Sequence, residues 1–258
     1  MSAWTFPKLV AHRGGGCLAP ENTLAGMQAA VDYGFDAVEF DVKLSRDDVP
    51  FLLHDDDLMR TTTVAGWAKQ QPWAALKTLD AGSWFAERFA GEPIPSLDAV
   101  VAFCRQHQLQ MNIELKPCVG LERVTGQVIA KKVGARWHTP AFLGQPLPVL
   151  SSFSVLALSA AQEVAPEVPR GLLIEAWSED VLAVLHSLAC VSLHAPEASL
   201  TPERVKAIQG AGFKVLAWTV NDVARAQQLL AWGVNTVVTD ALDQRRAMLG
   251  QMAPVSDR

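Results

Sequence analysis

The segment Ala37–Leu44 reads AVEFDVKL. Val38, Phe40 and Val42 fall on one side of it and Glu39, Asp41 and Lys43 on the other, the two-residue period of a β-strand. Similar short runs recur along the chain, each followed by a stretch with helical spacing. The first is Leu9–Ala11, before a helix over 22–33 that Gly34 stops. Further strands are expected at 110–116, 149–153, 171–175, 191–193, 214–220 and 235–239. Helices are expected at 97–107, 121–133, 180–189, 222–232 and 242–249, with one ending near 165 and one opening at Thr201-Pro202-Glu203, a cap followed by a first-turn proline. Eight strand–helix units in 258 residues predict an α/β fold, a single (β/α)8 TIM-type barrel over residues 1–258. The rival is an open doubly wound sheet with a dinucleotide turn. Gly14-Gly15-Gly16 lacks the spacing of that turn.

Two segments depart from the rhythm. Ser45-Arg46-Asp47-Asp48 is a turn, and 49–53 returns as an extended run, a hairpin appended to the second strand. Residues 55–95 hold Trp67, Trp73, Trp84, Phe85 and Phe89 and read as a small insertion beside one side of the barrel mouth. Its aromatics are expected to form a local core, with substrate contact as the alternative. Asp55-Asp56-Asp57 is expected to be a solvated turn. Residues 253–258 read as a loose tail.

Bulk properties narrow the function. A net charge of −5 argues against nucleic acid as a partner. The N-terminal MSAWTFPKLV lacks the pattern of a signal peptide, and no apolar run approaches the ~20 residues of a membrane span. These features predict a cytoplasmic protein without a membrane anchor. Cys17, Cys104, Cys118 and Cys190 show no CxxC spacing, so free thiols are expected rather than a zinc site or a disulfide framework. Cys17 and Cys118 fall in loops near the mouth.

The chemistry gathers at strand ends. His12-Arg13-Gly14 closes the first strand, and His54 follows the hairpin. Glu39 and Asp41 share one face of the second strand, and Glu114 and Lys116 share one face of the third. Working residues of such barrels sit at the C-terminal ends of strands. One mouth would then collect three carboxylates, two imidazoles and two fixed cations. Glu114 and Lys116 alone would suit a structural ion pair, but Glu39 and Asp41 leave negative charge over. A hard divalent cation held by oxygens at Glu39, Asp41 and Glu114 would balance it. His12 and His54 are candidates for the acid and base of a hydrolysis. His107, His138 and His186 have no such placement, and His194, after the sixth strand, is a weaker candidate for contact.

HRGGGCLAPENT (12–23), VEFDVKLSRDDVPFLLHDD (38–56) and IELKP (113–117) resemble the signature blocks of the glycerophosphodiester phosphodiesterases, compact bacterial cytoplasmic members above all. SSFS (151–154), AWTVN (217–221) and VVTD (237–240) extend the resemblance over nearly the whole barrel. One departure is Arg46-Asp47-Asp48, where the family usually has Asp-Gly; Asp tolerates left-handed angles. The resemblance implies hydrolysis of a small-molecule glycerophosphodiester to sn-glycerol 3-phosphate and an alcohol, with Mg²⁺ or Ca²⁺ as cofactor. Carried over by position, Glu39, Asp41 and Glu114 would hold the metal and His12 and His54 would be the acid/base pair. Arg13 and Lys116 would hold phosphate oxygens, and Phe153 and Trp218 would wall the glycerol. Glu21 and Asn22 would order the first loop. The nucleophile remains either water or the glycerol 2-hydroxyl. Two other readings share these residues: transfer within a lysophospholipid ending at a cyclic phosphate, and a non-catalytic phosphate-binding barrel.

Overall fold

A computed structural model describes residues 4–250. The tail expected at 253–258 and the outermost residues of the expected unit lie outside the described residues. The elements run β1 (Leu9–Ala11), α1 (Leu24–Asp32), β2 (Ala37–Leu44), β3 (Pro50–Leu52), α2 (Trp73–Leu76), α3 (Leu97–Gln106), β4 (Gln110–Leu115), α4 (Glu122–Trp137), β5 (Val149–Ser152) and α5 (Val155–Val164). They continue with β6 (Arg170–Leu173), α6 (Val181–Ser187), β7 (Ser192–Pro196), α7 (Pro202–Gly210), β8 (Lys214–Trp218), α8 (Val223–Ala231), β9 (Thr236–Thr239) and α9 (Arg245–Met248).

Eight of the strands are parallel and close on themselves. β1 pairs with β9 on one side and with β2 on the other, so the sheet has no free barrel edge. β3 lies outside this ring, antiparallel to the end of β2, with Leu44 opposite Pro50. This is the (β/α)8 barrel expected from the strand–helix rhythm, with one added strand. The hairpin turn places Asp48 at φ 58°, the left-handed conformation that Asp tolerates.

Alternation along β2 sorts its side chains. Val38, Phe40 and Val42 pack outward into the layer between strands and helices, together with Ile113, Leu115, Leu150 and Leu193. Each such buried side chain is worth roughly 1.5–3 kcal/mol. The barrel interior is split by depth. Phe6, Val10, Ala37, Val149, Leu216 and Val238 fill its lower part, with Trp4 packed against them. Above them the lining turns polar, and all eight residues of β2 are buried. Asp41 is registered with Glu114 and Glu39 with Asn112 on β4. The sheet register therefore sets Asp41 and Glu114 side by side near the C-terminal mouth, with Glu39 one step below them on the same inner face.

Residues between β3 and α3 form a second small core. Leu58, Ala68, Leu76, Ala81 and Ile94 pack on Phe51 and Leu53, with Trp73 against them. The expected local core is present, but its aromatics divide. Trp67 and Trp84 are exposed, and Phe85 stacks edge-on against both Trp84 and Phe89 in a separate group. The insertion is tied down by Glu92, which accepts from Ala25 N at 2.9 Å at the start of α1, and by Lys69, which donates to Val119 O at 3.0 Å.

Some element ends differ from expectation. α4 runs on to Trp137, past the 133 expected, because Val133, Gly134 and Trp137 keep a buried face. α1 starts at Leu24 rather than 22, because Asn22 stands at φ 57° and Thr23 caps the helix by accepting from Gly26 N. The last helix is broken into a 3₁₀ turn, Leu242–Gln244, and α9. Among the described residues no helix is long and apolar enough to cross a membrane.

Candidate active site

The C-terminal mouth opens into a cavity of about 140 Å³. His12, Arg13, Glu39, His54, Glu114 and Lys116 line it, and Phe153 and Trp218 stand at its side. One carboxylate oxygen from each of Glu39, Asp41 and Glu114 lies within 4.8 Å of the others. All three residues are buried.

Their electrostatics diverge because their neighbours do. Burial pushes Glu39 up to about 7 and Glu114 up to about 8, and the charge of Asp41 adds to both. Burial would raise Asp41 too, but Lys116 and Arg13 overcome it and hold that carboxyl well below the usual range. Lys116 Nζ stands 2.8 Å from Glu114 and 3.4 Å from Asp41, and Arg13 Nε stands 3.5 Å from Asp41. Asn22 grips Asp41 twice: its Nδ2 donates to the carboxylate at 2.9 Å and its Oδ1 accepts from the Asp41 N–H at 3.0 Å. Two fixed cations against three carboxylates leave the cluster short of positive charge. It must take up protons or a cation, and the oxygen-only donor set suits a hard divalent ion. The residues present therefore fit a metal.

Each imidazole is aimed by its own carboxylate. His12 Nδ1 lies 2.6 Å from Asp240, and His54 Nδ1 lies 2.6 Å from Asp55. His12 Nε2 faces Glu39 at 3.8 Å. The two rings are pushed in opposite directions. Burial lowers the His12 pKa, but the bond to Asp240 and the charge of Glu39 outweigh it, and the net shift is upward. Burial also lowers His54. Asp41 opposes this, yet Arg13 and Lys116 keep the net shift downward.

Backbone shape supports the arrangement. Arg13 sits at φ 50°, which turns its N–H to Glu39 at 3.1 Å and its guanidinium to Glu21 at 2.8 Å. Gly16 lies where a side chain would drive into the Asp240 carbonyl, so the first loop and the loop after β9 can approach closely enough to join His12 to Asp240.

The fold brings together every site residue expected from the sequence. Phe153 and Trp218 pack edge to face at 5.5 Å, with Lys116 Nζ 5.5 Å from the Phe153 ring. The expected solvated turn at 55–57 is not one. Asp55 holds His54, Asp56 pairs with the buried Lys43 at 2.6 Å, and Asp57 accepts from Met59 N at 2.7 Å. His194 was the weaker candidate, yet it lines the floor of the cavity.

Sequence reasoning missed the partners of the site. Arg60, in the insertion, donates to Glu21 at 2.7 and 2.8 Å and to Asp55 at 2.6 Å, and so links the supports of Arg13 and His54. The Arg60 hydrogen bonds, followed by those of His54, hold the Asp55 carboxyl at about 2. Asn221 accepts from the Asp240 N–H at 2.8 Å and donates to its carboxylate at 3.2 Å, fixing the partner of His12. The signal for Asp55 and Asp240 was adjacency to a histidine or a strand end. Arg60 gave none, because its role arises only when the insertion folds over the first loop.

Barrels of this type carry their working groups at the face where these residues converge, and the molecule falls in the class of (β/α)8-barrel enzymes. The sequence profile of the Glycerophosphoryl diester phosphodiesterase family matches residues 12–244, and the chain belongs to that family. It is 30% identical to the glycerophosphodiester phosphodiesterase of Caldanaerobacter subterraneus subsp. tengcongensis over 232 residues, covering 90% of this chain and 93% of the other. It is also 30% identical to a Bacillus subtilis glycerophosphodiester phosphodiesterase over 250 residues, covering 91% and 83%. An Oleispira antarctica phosphodiesterase solved in complex with its product sn-glycerol-3-phosphate superposes with a TM-score of 0.89 at 36% identity, over 95% of this chain and 98% of the other.

Proposed function

We propose that the protein hydrolyses glycerophosphodiesters, the deacylated head-group esters of phospholipids, to sn-glycerol 3-phosphate and an alcohol. The observation that carries this is the buried trio Glu39, Asp41 and Glu114 beside two fixed cations and two carboxylate-aimed imidazoles. The product held by the Oleispira antarctica enzyme, to which this chain is 36% identical, is the one such a reaction would release.

In this reading Glu39, Asp41 and Glu114 hold one divalent cation, Mg²⁺ or Ca²⁺. Bound there, it would draw charge from a phosphoryl oxygen and acidify a hydroxyl beside it. Arg13 and Lys116 orient the phosphate and stabilise the charge that grows on its oxygens. The buried Arg13 Nε makes no hydrogen bond among the described residues and stands 3.5 Å from the Asp41 carboxylate, so its charge lies within the trio. Glu21 holds the Arg13 guanidinium and Asn22 braces Asp41. Phe153 and Trp218 wall the glycerol.

His12, kept protonated by Asp240, donates a proton to the departing alkoxide. His54, kept neutral by burial and by Arg13, takes one from the nucleophile, water or the glycerol 2-hydroxyl. The second nucleophile leads through a cyclic phosphate, which ³¹P NMR of the reaction mixture would reveal. Four free thiols, of which Cys104, Cys118 and Cys190 are buried, support a cytoplasmic location.

The test couples release of sn-glycerol 3-phosphate from glycerophosphocholine and glycerophosphoethanolamine to its dehydrogenase. Turnover by the wild type should vanish in Glu114→Ala and His54→Ala proteins that keep their circular dichroism spectrum. Near-normal rates in both variants would contradict the proposal.

A further inference from the structure

Lys43 is a buried cation that the reaction just described leaves unused. It follows Asp41 by two residues on β2 and so falls on the same inner face. Its side chain is 2% exposed, yet it does not line the cavity. Its charge is met by Asp56 at 2.6 Å, so it is spent on that carboxylate rather than on the trio. Burial would raise the Asp56 carboxyl, but the bond and the charge of Lys43 outweigh it, and the net shift is downward. A buried ammonium is costly unless acceptors take up its protons. Here the acceptors sit on two different loops.

The second acceptor is the Lys116 carbonyl, at 3.2 Å. Asp56 comes two residues after His54, on the loop that leaves β3, and Lys116 opens the loop that leaves β4. Backbone pairing with β2 carries each loop only to its start. Leu53 N donates to Asp41 O at 3.3 Å, and Lys116 N donates to Val42 O at 3.0 Å. Both residues already lie past the last strand residues, Leu52 and Leu115. Lys43 reaches beyond the end of the sheet and takes an acceptor from each side. One ammonium therefore joins the loop of the proposed base to the backbone of the lysine that meets the phosphate.

We propose that Lys43 is a positioning residue that holds His54 and Lys116 in fixed relation by clamping the loop after β3 to the loop after β4. This rests on the function proposed above and adds to it a residue that lies outside the cavity.

The test compares wild type, Asp56→Ala, Lys43→Met and the double variant on glycerophosphoethanolamine at saturating Mg²⁺, with circular dichroism and thermal melts on each preparation. Methionine keeps an unbranched stem in the buried space that Lys43 fills. Asp56→Ala frees the His54 loop while Lys43 still holds Lys116. It should lower kcat by up to about 100-fold, as a misplaced catalytic group costs. KM should stay within about twofold, the mark of an interaction felt only in the transition state. Lys43→Met frees both loops. Its kcat should fall as far, and its KM should rise at least about fivefold, since Lys116 meets the phosphate before and during reaction alike. The double variant should match Lys43→Met, because the two side chains act as one pair. Unchanged kcat in a folded Asp56→Ala protein, or a lower melting temperature with kcat and KM both intact in Lys43→Met, would overturn the proposal and leave a structural ion pair. Should Lys43→Met fail to fold, Asp56→Ala decides alone: lower kcat at constant KM supports the clamp, and unchanged kcat overturns it. Should metal-loaded wild type turn over no diester, the function on which this rests fails instead. Calorimetry with sn-glycerol 3-phosphate then decides: weaker binding by Lys43→Met but not by Asp56→Ala supports the clamp, and equal affinities in all three overturn it.

Discussion

His12 and His54 are the same residue type in the same mouth, and their neighbours set them apart. Asp240 and Glu39 raise one, while burial and the two cations lower the other. The proposed roles need His12 protonated and His54 neutral. With the metal on Glu39, the Asp240 bond is what holds the His12 proton, and the kcat/KM profile should be a bell about an optimum pH. Rate falls below it as His54 takes a proton and above it as His12 loses one. Asp240→Asn removes the strongest support of the His12 proton, so the alkaline limb should move to lower pH. Activity should drop by up to about 100-fold, as a misplaced catalytic group costs. An alkaline limb that stays in place would assign that limb to another group. At this scale much was legible in the sequence. Spacing alone placed Glu39 with Asp41 and Glu114 with Lys116, because the strand period fixes the side on which each residue falls. The environment was not legible: Asp240 reaches His12 across 228 positions of chain, and no local pattern announces that.

The insertion is the element where sequence reading fell furthest short. Its local core was foreseeable from its aromatics, yet Leu58, Leu76 and Ile94 with Trp73 carry it, while Trp67 and Trp84 face solvent. Which hydrophobics turn inward depends on irregular turns with no period to read. The consequence for the site is Arg60, which spans Glu21 and Asp55 in paired ion bridges. Arg60→Ala should lower kcat/KM by up to about 100-fold, because Arg13 and His54 would lose their fixed positions. Arg60→Lys, which keeps the charge but loses the fork, should recover only part of it. Steady-state rates with thermal melts on the same preparations check this. Full activity in Arg60→Ala would mean that Glu21 and Asp55 hold their positions unaided. The regular elements were easier to foresee. The strands matched within a residue or so at most ends, and α4 overran because its buried face continues to Trp137.

At the scale of the whole molecule, the barrel separates stability from chemistry along its axis. Its lower interior is apolar, around Phe6, Val10 and Val238, and its upper interior is charged. Eight strand–helix units made the closed barrel legible, because that many parallel strands in a chain of this length are best buried by closing the ring. The plug below was not legible, since Trp4 and Phe6 precede the first strand and show no period. Phe6→Ala should cost about 3–5 kcal/mol in denaturant unfolding. It should leave kcat/KM within about twofold, because the N-terminal face of such barrels bears on stability rather than catalysis. A large loss of activity in a folded Phe6→Ala protein would break that separation.

The central claim joins the carboxylate trio to the chemistry, and metal add-back tests it most directly. Protein stripped with EDTA and dialysed should release no sn-glycerol 3-phosphate from glycerophosphoethanolamine. Titration with Mg²⁺ or Ca²⁺ should restore release with the saturation curve that calorimetry gives for one ion per chain, and Glu39→Gln should weaken both together. Full turnover by the stripped protein, or ion binding unaffected by Glu39→Gln, would contradict the account.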